Sequence, residues 1–307
     1  MNAPITPAAV ARRKSRIIDV EDALAHVQDG MTVGIGGFIN AAHPMLIVRG
    51  LIRKGVKNLT IVGAASAGLE IDLLIAAGCA ARVATPYVSG EKLAPIGPAF
   101  RAAAEAGRIE VYELDEALYY CALRAAAQRV PFNPWKAGVG TSFPQVNPAI
   151  KEIDDPITGE RILAIPALSL DIAFLHAAVS DRFGNVQHAG HGYGDRAIHA
   201  AADLTFVQVE KIVSNEEIKR DPLKTTVAGA DGVIRAPFGA HPYSSPGFYA
   251  EDQAHIAEYV KAATKWAKEG DFGALKTYID TYVTGPSDHV EYMETVGMRR
   301  LFSLDEY

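Results

Sequence analysis

The sequence predicts an α/β fold in which an open, mostly parallel sheet carries helices on both faces and is followed by a C-terminal helical arm. From residue 17 onward, short β-branched segments alternate with amphipathic helical segments in units of about 25 residues. Glycine or proline marks most of the junctions between these segments. With 49% hydrophobic and 21% charged residues, the 307-residue chain has the composition of a globular protein.

Strands are predicted where apolar and β-branched residues form short runs, at 31–35, 59–62, 82–88, 109–113, 162–165, 172–176 and 204–212. Helices are predicted from apolar spacing and capping residues, at 19–30, 44–55, 68–78, 98–106, 115–129, 256–266 and 275–283. Asp19 is a suitable N-cap, Pro44 fits the first turn of a helix, and Gly30 and Gly55 supply C-terminal stops.

The chain is predicted to form one domain with two extensions. Residues 1–16, which are basic and lack an acid, are expected to be a flexible N-terminal tail; residues 17–250 form the α/β domain, and residues 251–307 are the helical arm of the same domain. The proline-rich segment 131–162 is interpreted as a functional loop and a hairpin, because it is neither serine-rich nor charged as linkers are.

Composition excludes several classes of protein. A formal net charge of −6 does not favour nucleic acid as a partner. No apolar run approaches the ~20 residues that span a bilayer, and no secretory signal follows the basic N-terminus, for which a transit peptide is the alternative. Cys79 and Cys121 are the only cysteines and form no zinc or disulfide spacing. We therefore expect a cytoplasmic protein without nucleic-acid or membrane partners.

The densest cluster of small residues is Val33-Gly-Ile-Gly-Gly-Phe38, at the end of the first predicted strand. Glycines at such a position let the backbone approach a ligand and leave N–H groups free to face an anion or a developing oxyanion. A dinucleotide fingerprint would need a third glycine where Ile39 stands, and no P-loop sequence occurs. The cluster therefore favours a ligand site, but one that is neither a dinucleotide-binding fingerprint nor a P-loop.

Segment 29–44, which contains this cluster, resembles the N-terminal signature of family I coenzyme A transferases, as carried by their α-type subunit. Further segments are similar to glutaconate CoA-transferase-like α subunits, at 125–132, 138–141, 180–185, 209–213 and 236–242. The resemblance implies transfer of CoA between small carboxylic acids, with CoA and acyl-CoA as substrates and no permanently bound cofactor. It also implies an enzyme-glutamyl-CoA intermediate.

In this family the nucleophilic glutamate stands in a Ser-Glu-Asn-Gly motif of the β-type subunit, and this chain has no such motif. The resemblance therefore implies a heterodimer or heterotetramer with a β-type partner. The residues expected to shape the acyl side of the shared cleft are Gly36, Gly37, Phe38, Asn40, His43, Ser66, Gly140 and Thr141. The Arg-Lys pair of glutaconate-type relatives is replaced by Ala42 and His43, which argues against a dicarboxylic acyl substrate.

Two other interpretations stay open. Segment 113–117 resembles the α subunit of the CoA-ester ring-opening hydrolase of steroid degradation, which uses an acid of the α chain as a base; Glu116 would be that base here, unless it is only a first-turn helix acid. A noncatalytic ligand-binding domain of the same fold is the third possibility. No metal site is predicted, because His188 and His191 lack a further ligand at suitable spacing, and His241 is expected to order a tight turn.

Overall fold

A computed structural model describes residues 13–305. The strands are β1 (Thr32–Ile35), β2 (Leu59–Val62), β3 (Ala80–Val83), β4 (Glu110–Val111), β5 (Phe132–Trp135), β6 (Lys151–Asp154), β7 (Arg161–Pro166), β8 (Leu170–Asp181), β9 (Asn185–Gln187), β10 (Ala202–Val213), β11 (Thr225–Ala228) and β12 (Gly232–Arg235). The α-helices are α1 (Val20–Ala25), α2 (Met45–Lys54), α3 (Leu69–Ala76), α4 (Pro98–Glu105), α5 (Glu116–Ala127), α6 (Phe143–Val146), α7 (Asp195–Ala201), α8 (Asn215–Arg220), α9 (Gln253–Glu269), α10 (Gly273–Ile279), α11 (His289–Val296) and α12 (Met298–Phe302).

Nine strands form the main sheet. Seven of them are parallel and lie in the order β4-β3-β2-β1-β8-β10-β12. The antiparallel strands β9 and β11 extend from the far end of β8, which is three times as long as β1. The predicted open and mostly parallel sheet is therefore confirmed.

Helices cover both faces of the sheet, as the alternation of side chains along β8 shows. Ile172 and Phe174 belong to the core shared with α2, α3 and the C-terminal helices. Ala173 and Leu175 belong to a second core, which is shared with α5 and α7. Because successive residues of a strand point to opposite faces, each layer of helices buries its own set of strand side chains.

Capping residues act largely where the sequence places them. Asp115 caps α5 by accepting the N–H of Leu118 at 2.7 Å, and Gly55 ends α2 in the left-handed conformation. The first helix is shorter than predicted: it ends at Ala25, and Gly30 instead makes the left-handed turn before β1. Strand β3 ends at Val83 rather than at residue 88, because Pro86 has no N–H for the ladder.

Segment 131–162 contributes to a separate three-stranded antiparallel sheet in the order β5-β7-β6. Strands β6 and β7 form a hairpin through the predicted turn at 155–159, where Gly159 has a φ of 73° and donates its N–H to Asp155 O. The predicted hairpin is confirmed, whereas β5 had no signal because prolines flank and interrupt it.

The C-terminal helices pack onto the first core rather than standing apart from it. Ile256 and Tyr278 are buried with the side chains of α2 and α3, and the Tyr259 hydroxyl donates to Asp72 Oδ2 at 2.6 Å. Arg49 of α2 lies over the Tyr292 ring, 3.5 Å from its centroid. The arm and the sheet therefore share one hydrophobic core.

The predicted flexible tail lies mostly outside the described residues, which begin at residue 13. At its end, Arg16 donates its N–H to Arg182 O and accepts the N–H of Val233, both at 2.8 Å. The chain is thus attached to the edge of β12 from residue 16 onward. Within residues 13–305, no helix combines the length and the apolar character that crossing a membrane requires.

Candidate functional site

The glycine turn, Gly36 to Phe38, directly follows β1 at the carboxyl edge of the sheet, where open α/β sheets bind their ligands. Gly37 has a φ of 111°, which only glycine adopts readily. A Cβ at Gly36 would lie 2.5 Å from Asp195 Oδ1 and 2.6 Å from Leu175 Cδ2. The turn therefore needs both glycines, one for its conformation and one for the close approach of buried side chains.

The amides of this turn are not free, which corrects the prediction that they face a ligand. Gly36 donates to Phe174 O at 2.9 Å, and Gly37 donates to Asp195 Oδ1 at 3.0 Å. The N–H groups of Phe38 and Ile39 are likewise bonded within the chain, to backbone carbonyls. The glycines thus serve to bring backbone and buried side chains together, and these four N–H groups supply no oxyanion hole.

His43 lies beneath the turn and is fully buried. Its Nδ1 is 3.0 Å from Gly36 O, and its Nε2 is 2.8 Å from Ile39 O. Burial lowers the pKa of the ring to about 4. His43 therefore supports the turn from inside as a neutral ring and does not offer the cleft a cation.

Two buried carboxyl groups on α3 were not predicted. Glu70 Oε1 accepts the N–H of Gly68 at 3.1 Å and is 3.3 Å from His43 Nδ1, and burial raises its pKa to about 8. Asp72 is equally buried; desolvation raises its pKa to about 6, although it accepts the Phe100 N–H and the Tyr259 hydroxyl. In the sequence they are two acids within an apolar helix, a pattern that signals burial only when the helix is known to be covered on all sides.

Asp195, the first residue of α7, is a further buried acid that the sequence did not single out. In addition to Gly37, its carboxylate bonds His188, whose Nε2 lies 3.0 Å from Oδ2. His188 Nδ1 lies 2.7 Å from Thr226 Oγ1 on β11. His188, in the loop that follows β9, is therefore part of a buried hydrogen-bond chain, while His191 in the same loop is exposed.

Aromatic side chains and one acid form the exposed rim beside the turn. Phe38 stacks on Tyr193, with ring centroids 5.2 Å apart and an interplanar angle of 1°. A Cβ on Gly194 would lie 3.0 Å from the Tyr120 hydroxyl. Burial, and then the charges of Glu116 and Asp195, raise the pKa of Tyr120. Glu116 is therefore an exposed carboxylate close to Tyr120, one turn earlier on the same helix.

Of the other predicted site residues, some lie close to the glycine turn and others lie in a separate loop. Ser66 O accepts the N–H of Ile39 at 2.7 Å, so the loop after β2 contacts the glycine turn. Asn40 O accepts the Ser244 hydroxyl and N–H, and Asn40 Oδ1 is buried without a partner among the described residues. Gly140 and Thr141 lie in an exposed loop after β5, where Thr141 donates to Gly138 O. Within residues 13–305, no hydrogen bond joins that loop to the glycine turn.

One cluster has the atoms of a metal site. Ligand atoms of His241, Asp252 and His255 lie within 4.8 Å of one another. However, Arg300 bonds both oxygens of Asp252, at 2.5 and 2.7 Å, and His241 Nδ1 faces the Tyr292 hydroxyl at 2.7 Å. Because a guanidinium already neutralises the only carboxylate, the cluster fits a structural ion pair better than a cation site. His241 thereby orders the loop that ends at residue 252.

Comparisons with known proteins identify the family of this chain and agree with its fold. The coenzyme A transferase family model matches residues 17–231. The chain is 36% identical over 286 residues to an uncharacterized protein of Archaeoglobus fulgidus, covering 92% of this chain and 62% of that protein. It is 34% identical over 293 residues to the cholesterol ring-cleaving hydrolase IpdA subunit of Rhodococcus jostii, covering 91% and 95% of the two chains.

One subunit of the glutaconate CoA-transferase of Acidaminococcus fermentans is 30% identical over 309 residues, with 94% of each chain covered. The crystal structure of glutaconate coenzyme A-transferase from the same organism superposes with a TM-score of 0.87 at 29% identity, covering 95% of this chain and 96% of that one. The chain therefore has the open α/β fold of that enzyme. The chain belongs to the coenzyme A transferase family, as a family I α-type subunit.

Proposed function

We propose that this chain is the α subunit of a heteromeric CoA-transferase that moves CoA between small carboxylic acids. The observation that carries the proposal is that the glycine turn offers a shaped wall but no nucleophile. Its residues are glycines and apolar side chains, and the histidine beneath it is buried and neutral. The reacting carboxylate therefore comes from a β-type subunit, as the family resemblance implies.

The reaction needs that carboxylate to act twice. The partner's glutamate attacks the acyl-CoA thioester, which gives an acyl-glutamyl anhydride and CoA thiolate; the thiolate then attacks the glutamyl carbonyl and releases the first carboxylic acid. A second carboxylate reacts with the glutamyl-CoA thioester by the same two steps in reverse and leaves as the new acyl-CoA. In this mechanism the α subunit positions the acyl group beside Phe38 and excludes water.

The acyl group is expected to lack a second carboxylate at this wall. Ala42 and His43, which replace the Arg-Lys pair of glutaconate-type relatives, are 2% and 0% exposed. Neither residue can offer a cation to the cleft. A monocarboxylic acyl group is therefore the better fit.

Reconstitution tests the proposal. The chain is purified alone and together with a β-type subunit encoded beside it, and CoA transfer from an acyl-CoA to acetate is measured. We expect transfer only from the mixture, and only while the partner's Ser-Glu-Asn-Gly glutamate is intact. Full activity from this chain alone would contradict the two-subunit mechanism.

A CoA-ester hydrolase that uses Glu116 as its base is the second candidate. It is favoured by the exposure of this carboxylate at the aromatic rim, close to Tyr120. In that case Glu116→Gln lowers hydrolytic turnover by about 10²-fold or more and leaves assembly intact. Glu113→Gln, an exposed acid three residues earlier, is the matched control. An unchanged rate in Glu116→Gln eliminates this candidate.

A further inference from the structure

We propose that Asp195 is a positioning residue that holds the peptide group between Gly36 and Gly37 in one orientation, and that His188 in turn holds Asp195. The inference rests on the proposed function, because it concerns the wall of the acyl site. It assigns a role to the segment around His188 that the reaction itself does not use.

The first contact is between the carboxylate and the turn. Asp195 Oδ1 accepts the Gly37 N–H at 3.0 Å, across 158 positions of sequence. On the other side of the same peptide group, Gly36 O is 3.0 Å from His43 Nδ1. Because one buried side chain contacts the N–H and another faces the carbonyl, the peptide group cannot rotate without losing a buried hydrogen bond.

Glycine at position 36 makes this contact possible. A Cβ there would approach Asp195 Oδ1 to 2.5 Å, well inside van der Waals contact. The carboxylate is fully buried, and within residues 13–305 no lysine or arginine forms an ion pair with it. A buried carboxylate in such a position depends on its hydrogen-bond donors.

The second donor is His188. A carboxylate can only accept, so the His188 Nε2 that lies 3.0 Å from Asp195 Oδ2 carries the proton. Nδ1 of the same ring lies 2.7 Å from Thr226 Oγ1. The chain of contacts runs from β11 through His188 and Asp195 to the turn after β1. It ties the turn to the hairpin at the far end of β8.

Asp195 also helps to position the aromatic rim, because Tyr193 lies two residues before it and stacks on Phe38. A turn that has lost Asp195 would therefore shift both the backbone wall and the exposed ring. Small displacements of positioning groups cost about 10²-fold in rate. We expect the loss in kcat, with little change in KM, because the fully buried Asp195 side chain does not itself face a substrate.

The test compares Asp195→Ala with Asp195→Asn in the assembled complex. Alanine removes both contacts, whereas the asparagine carbonyl can still accept the Gly37 N–H. Asp181→Ala is the matched control, because Asp181 is an equally buried carboxylate that binds Asn185 and Asn215 away from the turn. Hydrogen exchange of residues 36–39, kcat, KM and the unfolding midpoint are measured for each variant.

We expect the amides of 36–39 to exchange about tenfold faster or more in Asp195→Ala, with kcat reduced by about 10–100-fold. Asp195→Asn should retain most of both properties, and Asp181→Ala should lower only the unfolding midpoint. If Asp195→Ala lowers the midpoint as the control does and leaves exchange and kcat unchanged, the inference is wrong.

Two further outcomes are distinguishable. If the wild-type complex has no acyl-CoA activity, the proposed function fails, but unchanged exchange at 36–39 in Asp195→Ala would still overturn the positioning role by itself. If Asp195→Ala does not fold, His188→Ala removes the second donor without touching the turn. Faster exchange at 36–39 in that variant supports the inference, and unchanged exchange refutes it.

Discussion

Replacing Glu70 by glutamine should remove a cost of folding that grows with pH. Burial raises the pKa of this carboxyl group to about 8 in the folded chain, against 4.5 as its ordinary value. Above pH 4.5 the unfolded chain therefore releases the proton that the folded chain keeps. The folding cost that Glu70 adds is therefore absent below pH 4.5 and grows as the pH rises toward 8.

The magnitude follows from the two pKa values. Each pKa unit corresponds to about 1.4 kcal/mol, so the whole loss is on the order of 5 kcal/mol and the part between pH 6 and pH 8.5 is about 3 kcal/mol. Glutamine cannot ionise, and its carbonyl can accept the Gly68 N–H as Glu70 Oε1 does. Asp72, whose pKa is raised to about 6, is present in both proteins and its effect cancels to first order.

Urea unfolding at pH 6 and pH 8.5 measures this difference, in the oligomeric state in which the protein purifies. The stability of Glu70→Gln relative to wild type should rise by about 3 kcal/mol between the two pH values. Glu216→Gln, at a glutamate with a 74% exposed side chain, should show no such rise. An equal difference at both pH values would refute the assignment of a protonated, buried Glu70.

Three substitutions test other contacts. Gly36→Ala places a methyl group 2.5 Å from Asp195 Oδ1 and should cost about 1–3 kcal/mol in urea unfolding, with a loss of activity in the assembled enzyme. Tyr259→Phe removes the hydroxyl that donates to Asp72 and should lower the free energy of unfolding by about 1–3 kcal/mol. An unchanged urea midpoint would show that this hydrogen bond does not stabilise the fold. Arg300→Met removes the partner of a buried carboxylate and should destabilise the arm first, as faster hydrogen exchange in α9 than in the sheet would show.

The parallel sheet can be predicted from the sequence because the patterns that indicate its strands and helices are local. The strand at 59–62 and the ends of α2 at Pro44 and Gly55 depend on apolar spacing and capping within a few residues, and the structure has them at those positions. The strands β9, β11 and β12 were missed, since polar residues or glycine interrupt them and they lack the continuous apolar run that reveals β2.

The site was predictable only in part. The position of the glycine turn follows from the sequence, but the partners of its amides do not, because Asp195 is 158 residues away from Gly37. Likewise, Glu70 looks like an ordinary first-turn acid until Gly68 and His43 are seen around it. Hydrogen bonds between distant segments are set by tertiary packing, and a single sequence contains no local pattern for them.

The contact of Arg49 with the arm limits how this chain can be shortened. Arg49 is 2% exposed, lies over the Tyr292 ring and donates to His241 O at 3.0 Å. Deleting the residues after 250 would leave its aromatic partner missing and expose the apolar side of α2. A truncated chain would therefore need polar residues in place of the apolar side chains that α2 buries against the arm, whereas the arginine would be solvated. In a lineage that lost the arm we would expect these replacements to accompany the loss.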